Sequence, residues 1–252
     1  MKLFFCVTCC LCVLPATYCS AQDYYVQPVA SLQRIIFQSF AGYTQRATYN
    51  KNLINTSGEP TLQYAFNSGN SLNLVFPVLY NGSKKSFGLS DIRLRYTSVL
   101  INNISRHFVA LEGSLQVIAP SGDRKLGLGS DRSIIQPTFT GIFSFPGECL
   151  VIPYISYIHY INHYAKSPVP SSVDGYSAAC YFQLLLKKRV YFSASASFNY
   201  VNPNTQIKNY IGNQLGLIYQ VKKFRANIGW GPNIIAKTYS ANAGIIFFWY
   251  NN

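Results

Sequence analysis

The chain has 252 residues, enough for one large domain, and only 12% of them are charged, about half the share of an ordinary soluble domain. Its formal charge of +13 is scattered rather than gathered in a tract, which argues against a nucleic-acid partner. Beyond the first 21 residues no apolar run is long enough and unbroken enough to read as a transmembrane helix.

The N-terminus reads as a secretory signal. Lys2 supplies the positive start, residues 3–14 are apolar, and Cys19-Ser20-Ala21 offers a small-residue cleavage site. Cleavage after Ala21 divides the chain into a leader, 1–21, and a mature domain, 22–252. A lipid anchor on Cys19 is the alternative, and the bulk of Tyr18 argues against it. Five of the seven cysteines (Cys6, Cys9, Cys10, Cys12 and Cys19) leave with the leader. The two that stay, Cys149 and Cys180, make neither a disulfide framework nor a metal cluster, and a single bridge between them is left open.

The mature chain reads as short alternating segments. They fall at 33–46, 60–67, 71–80, 89–99, 106–118, 133–145, 149–163, 176–186, 190–201, 209–221, 224–233 and 240–250. That is an even number, about twelve, and most are near the 9–11 residues a tilted strand needs to cross a bilayer. Short connections, such as 68–70, 146–148 and 187–189, alternate with longer ones at 47–59, 81–88, 119–132, 164–175 and 202–208. Short periplasmic turns alternate with longer outer loops in this way when both termini are periplasmic. The predicted fold is therefore all-β, an antiparallel transmembrane β-barrel of about 12 strands in the outer membrane of a Gram-negative bacterium. A secreted β-sandwich is the alternative, but its surface calls for more charge than this chain has.

Alternation also assigns faces. Val109, Leu111, Leu115 and Val117 oppose Glu112, Ser114 and Gln116. Val190, Phe192, Ala194, Ala196 and Phe198 oppose Tyr191, Ser193, Ser195, Ser197 and Asn199, while Phe224, Ala226, Ile228 and Trp230 oppose Arg225, Asn227 and Gly229. In each case the first set is expected to meet lipid and the second the lumen. Residues 150–160 are apolar on both faces, which predicts a packed or tyrosine-lined wall there.

The candidate lumen residues are Asp91, Arg93, Arg95, Glu112, Gln116, Ser193, Ser195, Asn199 and Arg225. Arginines inside a barrel favour anions. The competing expectation is an internal salt-bridge lattice in which Arg93 and Arg95 pair with Glu112. Basic pairs in the connections (Lys84-Lys85, Arg124-Lys125, Lys187-Lys188-Arg189, Lys222-Lys223) are expected to meet anionic lipid head groups. No residues are assigned to catalysis, a metal or a cofactor. The histidines His107, His159 and His163 read as interfacial residues, and a barrel hydrolase built on them is the least favoured reading. Glycines 122, 127 and 129 form no phosphate loop, because neither a Lys-Ser/Thr pair nor a helix follows.

The stretches PTLQYAFNSGNSLNLVFP (60–77), GLSDIRLRY (88–96), APSGD (119–123), GLGS (127–130) and Gln136-Pro137 resemble, in the same order, a family of outer-membrane barrels named for the meta-pathway of phenol degradation. Ser90 stands where that family usually has glycine, Ser121 where threonine is common, and Asn251-Asn252 follow the aromatic residues on which such barrels usually end. The resemblance implies a transporter barrel for small, often hydrophobic solutes, and it carries no catalytic residues. The expected function is thus passive transport of a small hydrophobic or anionic solute. The alternative is a plugged barrel whose outer loops bind a partner.

Overall fold

A computed structural model describes residues 39–50, 53–67, 69–163, 172–201, 210–221, 224–233 and 238–249. The leader, the 23–31 segment, most of the 164–175 and 202–208 connections and the 222–223 turn lie outside the described residues. The strands are β1 (Ser39–Asn50), β2 (Leu53–Asn67), β3 (Asn70–Val75), β4 (Val78–Asn81), β5 (Ser86–Leu89), β6 (Ile92–Asn102) and β7 (Phe108–Ala119). They continue as β8 (Arg132–Phe145), β9 (Cys149–Asn162), β10 (Ser172–Lys187), β11 (Val190–Val201), β12 (Tyr210–Val221), β13 (Phe224–Asn233) and β14 (Thr238–Trp249).

All of them belong to one antiparallel sheet, and β1 pairs with both β14 and β2, so the sheet closes on itself. β2 pairs with β3 at Thr61–Asn67 and with β4 at Thr56–Gly58, so β3 and β4 are one stave interrupted at Phe76-Pro77. The next stave is interrupted at Ser90-Asp91, between β5 and β6, which leaves a closed barrel of 12 strands. Proline supplies no backbone donor, so the ladder breaks at Pro77. Closure removes the exposed sheet edge that a sandwich would have kept.

The barrel is inverted relative to a soluble protein. Leu62, Tyr64, Phe66, Leu94, Tyr96, Leu115, Phe139, Ile155, Leu215, Leu217, Ile228, Trp230, Ile245 and Phe247 are all exposed. Gln63, Gln116, Gln136, Thr138, Ser156, Gln183, Asn199, Gln220 and Arg225 are buried on the opposite face. An apolar exterior around a polar interior is stable only where the surroundings are lipid.

Two expectations fail in detail. Residues 47–59 are not a loop: β1 runs to Asn50, β2 starts at Leu53, and only 51–52 link them. The 81–88 connection shrinks to a turn at 82–85 because β4 and β5 extend the staves into a hairpin. Both segments set single apolar residues, such as Tyr49, Ile54 and Phe87, among polar ones, so the regular alternation that marks a strand is weak in their sequence. The cysteine question is also resolved. Cys149 stands opposite Leu184 and Cys180 opposite Pro153, an offset of about 13 Å along the strands, too far for a bridge, and neither cysteine is in a disulfide.

The 120–131 loop is tightly tied. Asp91 accepts hydrogen bonds from Gly122 N (3.1 Å), Ser130 N (2.9 Å) and Ser130 Oγ (2.7 Å). Ser121 Oγ donates to Ser90 O and accepts from Ile92 N. Leu128 is buried against Gly88, and Gly127 adopts a left-handed φ of 70°. A Cβ on Gly129 would run into Gly122 O and Asp91 Oδ1. These are the residues that carry the family resemblance, and together they form a clasp.

Two outcomes are expected. Ile228→Arg, on the exposed outer face, should cost about 2–4 kcal/mol of folding free energy in vesicles by urea titration, and Ser195→Arg, on the interior face, less than half of that. Asp91→Ala or Gly129→Ala should speed tryptic cleavage after Arg124 or Lys125 of the folded protein by about tenfold or more, with cleavage elsewhere unchanged.

Candidate functional site: the barrel interior

Hydrogen-bonded register places interior side chains in rows across neighbouring strands, where facing residues sit about 5 Å apart. One row runs Gln63–Asn73–Arg95–Gln116–Gln136 over β2, β3, β6, β7 and β8. Within it Asn73 Nδ2 donates to Gln63 Oε1 at 3.5 Å and Arg95 Nε donates to Gln116 Oε1 at 3.1 Å. A second row runs Thr97–Ser114–Thr138–Ser156–Ser177–Asn199. The Thr138 and Ser156 hydroxyls there share a hydrogen bond of 2.9 Å. A third runs Gln183–Ser193–Gly216–Gly229–Asn242–Arg46 and crosses the β14–β1 seam.

Charge concentrates on one wall. Arg93 Nη2 lies 2.8 Å from Glu59 Oε1, and Arg46 Nη1 lies 3.9 Å from the same oxygen. Glu59 on β2 reaches Arg93 on β6 past the intervening β3. The expected pairing of Arg93 and Arg95 with Glu112 is therefore corrected: Arg93 takes Glu59 and Arg95 takes Gln116. Glu112 sits opposite Val99 and Thr140, and its Oε1 is buried without a partner among the described residues.

The other predicted residues fall as follows. Ser193, Ser195 and Asn199 share one face of β11, and Asn199 is buried beside Tyr160, within hydrogen-bonding reach of its hydroxyl. Arg225 is buried on β13 opposite Gln220 and Ile246. Asp91 does not join them, because its carboxylate is taken up by the 120–131 clasp. Alternation missed Arg46, Glu59, Gln63, Gln136, Gln183 and Gln220. The same period-two pattern marks Gln136 and Gln183 once the flanking strands are in register.

The opposite wall is apolar, as residues 150–160 predicted. Ile118, Ile134, Ile158, Tyr160, Val173 and Val201 pack together at the end that carries the long 120–131 loop. Ala110, Ile142 and Ile152 pack with Val99 and Tyr181 toward the short turns. Arg93, Ile118, Ile134, Tyr160 and Val173 lie on one register row, so the arginine faces into the line of the outer apolar cluster. Gln116 Nε2, Gln136 Oε1, Gln183 Nε2, Asn199 Oδ1 and Gln220 Oε1 are buried with no hydrogen-bond partner among the described residues. They are spare hydrogen-bonding capacity directed inward.

The histidines lie outside this interior, at the two rims. His159 Nδ1 and Tyr157 OH both reach Asp174 Oδ1, at 2.7 and 2.5 Å, on the exposed face. Ser133 Oγ lies 2.7 Å from His163 Nε2, a contact between residues 30 apart in sequence that spacing alone does not reveal. His107 stacks on Phe145 at the short-turn end. Among the described residues no group of three or more His, Cys, Asp or Glu side chains is placed to hold a metal.

No protein-family model matches the chain. No curated protein is similar to it in sequence. Solved structures are similar in fold. An outer membrane channel from Pseudomonas putida F1 superimposes with a TM-score of 0.60 at 13% identity, over 92% of this chain and all of that one (100%). The NanC porin gives 0.59 at 10% identity over 82% of this chain and 100% of its own. The KdgM porin, in complex with disordered oligogalacturonate, gives 0.54 at 12% identity over 84% and 99%. The chain is thus a 12-strand barrel of the Gram-negative outer-membrane type.

Proposed function

We propose that the protein is a passive outer-membrane channel for small anionic solutes. The observation that carries this reading is the sign of the interior charge. Arg46, Arg93, Arg95 and Arg225 stand against Glu59 and Glu112, an excess of two positive charges among these six (four minus two). Arginine offers a fixed fork of donors to carboxylate or phosphate and stays charged at any physiological pH. The amide and hydroxyl rows beside it offer donors and acceptors that replace hydration along a path. Support also comes from KdgM, whose bound oligogalacturonate is an acidic saccharide. The hydrophobic solutes implied by the family resemblance find less support in this interior than anions do.

A second reading is favoured by the outer apolar cluster. Ile118, Ile134, Ile158, Tyr160, Val173 and Val201 fill the space beneath the loop end. If they close the interior, the barrel serves as a scaffold for its outer face and passes nothing.

Planar bilayers separate the two readings. With a tenfold KCl gradient the channel reading expects discrete steps and a reversal potential on the chloride side. Arg93→Gln with Arg95→Gln should move that potential toward zero by more than half. Folded protein that leaves the membrane silent would refute permeation, and a potassium-side potential would refute the anion preference.

A further inference from the structure

The β4–β5 hairpin carries a second feature, on the outside of the barrel. Phe87 stands about 15 residues from the turn end of its stave at Asn102, roughly 50 Å along the strand. With a tilt of about 40° that is roughly 38 Å of height, against an apolar band of about 25 Å. The hairpin therefore rises above the hydrocarbon. Its outward face is nevertheless apolar. Phe87 is 73% exposed, more than any other large apolar side chain described, and Tyr80 directly opposite it, Leu89 and Ile54 are exposed on the same side. The inward face is already covered, since Leu128 packs on Gly88 and Ser86 Oγ donates to Leu126 O at 2.5 Å. Single exposed apolar residues need no explanation, but a contiguous shelf above the membrane does.

The top of the shelf is basic. The 82–85 turn and the 120–131 loop meet there, with Lys84 Nζ donating to Lys125 O at 3.0 Å. Arg124 is paired with Asp131 at 3.2 Å, and Asp123 is engaged by the backbone N–H groups of Lys125 and Leu126. Lys84, Lys85 and Lys125 are exposed, and none has an acidic partner within ion-pair distance among the described residues. From membrane to solvent the order is thus apolar shelf, then uncompensated lysines.

We propose that this face binds a phosphorylated glycolipid of the outer leaflet. Its phosphates would lie against Lys84, Lys85 and Lys125, and its sugar rings would lie along Tyr80, Phe87 and Leu89, above the hydrocarbon that holds its acyl chains. Charge complementarity selects an anionic head, and the apolar shelf below it selects an amphiphile over a soluble anion. The clasp at Asp91 holds the two lysine-bearing segments together, so it positions the site without touching the ligand. None of this depends on whether the barrel conducts.

Native mass spectrometry of the purified full-length protein in detergent, titrated with diphosphorylated lipid A, tests the proposal. Retention of one lipid per barrel is expected. Lys84→Gln, Lys85→Gln and Lys125→Gln together should weaken it roughly 100-fold, and Phe87→Ser roughly tenfold. Dephosphorylated lipid A should bind no better than to the triple variant, and millimolar inorganic phosphate should not compete. All these substitutions are at exposed positions, and unheated gel mobility verifies that each barrel is folded. Unchanged binding by the folded triple variant would overturn the proposal, as would displacement by inorganic phosphate alone. Arg93→Gln, inside the barrel, serves as the unaffected control.

Discussion

Every backbone N–H and C=O at membrane depth must find a partner within the protein, because lipid offers none. That requirement explains the pairing of β1 with both β14 and β2. A sheet with two free edges would expose a row of polar groups to hydrocarbon on each side. Once the ring is closed, period-two geometry fixes everything else: each strand must send alternate side chains to two unlike solvents. Ile228 goes to lipid and Arg225 to the interior for the same reason, with only their parity on β13 deciding between them.

The interior that results has two unlike halves. One carries Arg46, Glu59, Arg93 and Arg95 in mutual contact or on amides, and the other carries isoleucine, valine and tyrosine. Glu59 accepts from Arg93 and Gln116 from Arg95 on the first of these walls. Glycines at Gly216 and Gly229 continue the third row where larger side chains would meet Ser193 Oγ or Asn242 Oδ1 and Gln214 Nε2. The arrangement sets polar side chains on one wall and bulk on the other.

How much of this could be read from sequence depended on solvent contrast. Strands whose two faces meet unlike surroundings alternate sharply, as β11 and β13 do: Asn199 and Arg225 are buried, while Phe198 and Ile228 are exposed. Where polar residues occupy both faces of a strand, with only a Tyr49 or an Ile54 among them, the contrast fades. That is why 47–59, which includes most of the join between β1 and β2, reads as a loop although it is nearly all paired. Asp91 shows a different limit. Its parity matched Arg93 and Arg95, but it stands at the break between β5 and β6, and its oxygens answer to Gly122 and Ser130, about 30 to 40 residues away. The partner of Arg93 was misread because adjacency of strands was assumed, whereas a long guanidinium crosses one whole strand to reach Glu59. Such contacts follow from three-dimensional register, which a single sequence does not print.

The unbridged cysteines bear on the order of assembly. If the chain crosses an oxidising compartment, two cysteines 31 positions apart in an unstructured polypeptide meet readily there. The final register holds Cys149 and Cys180 permanently apart on adjoining strands, so a covalent link formed early would block zippering of β9 against β10. The route to the native ring therefore either pairs that hairpin before oxidants act or keeps the chain shielded until it does, and a reducing step becomes the rescue for any molecule that has gone astray.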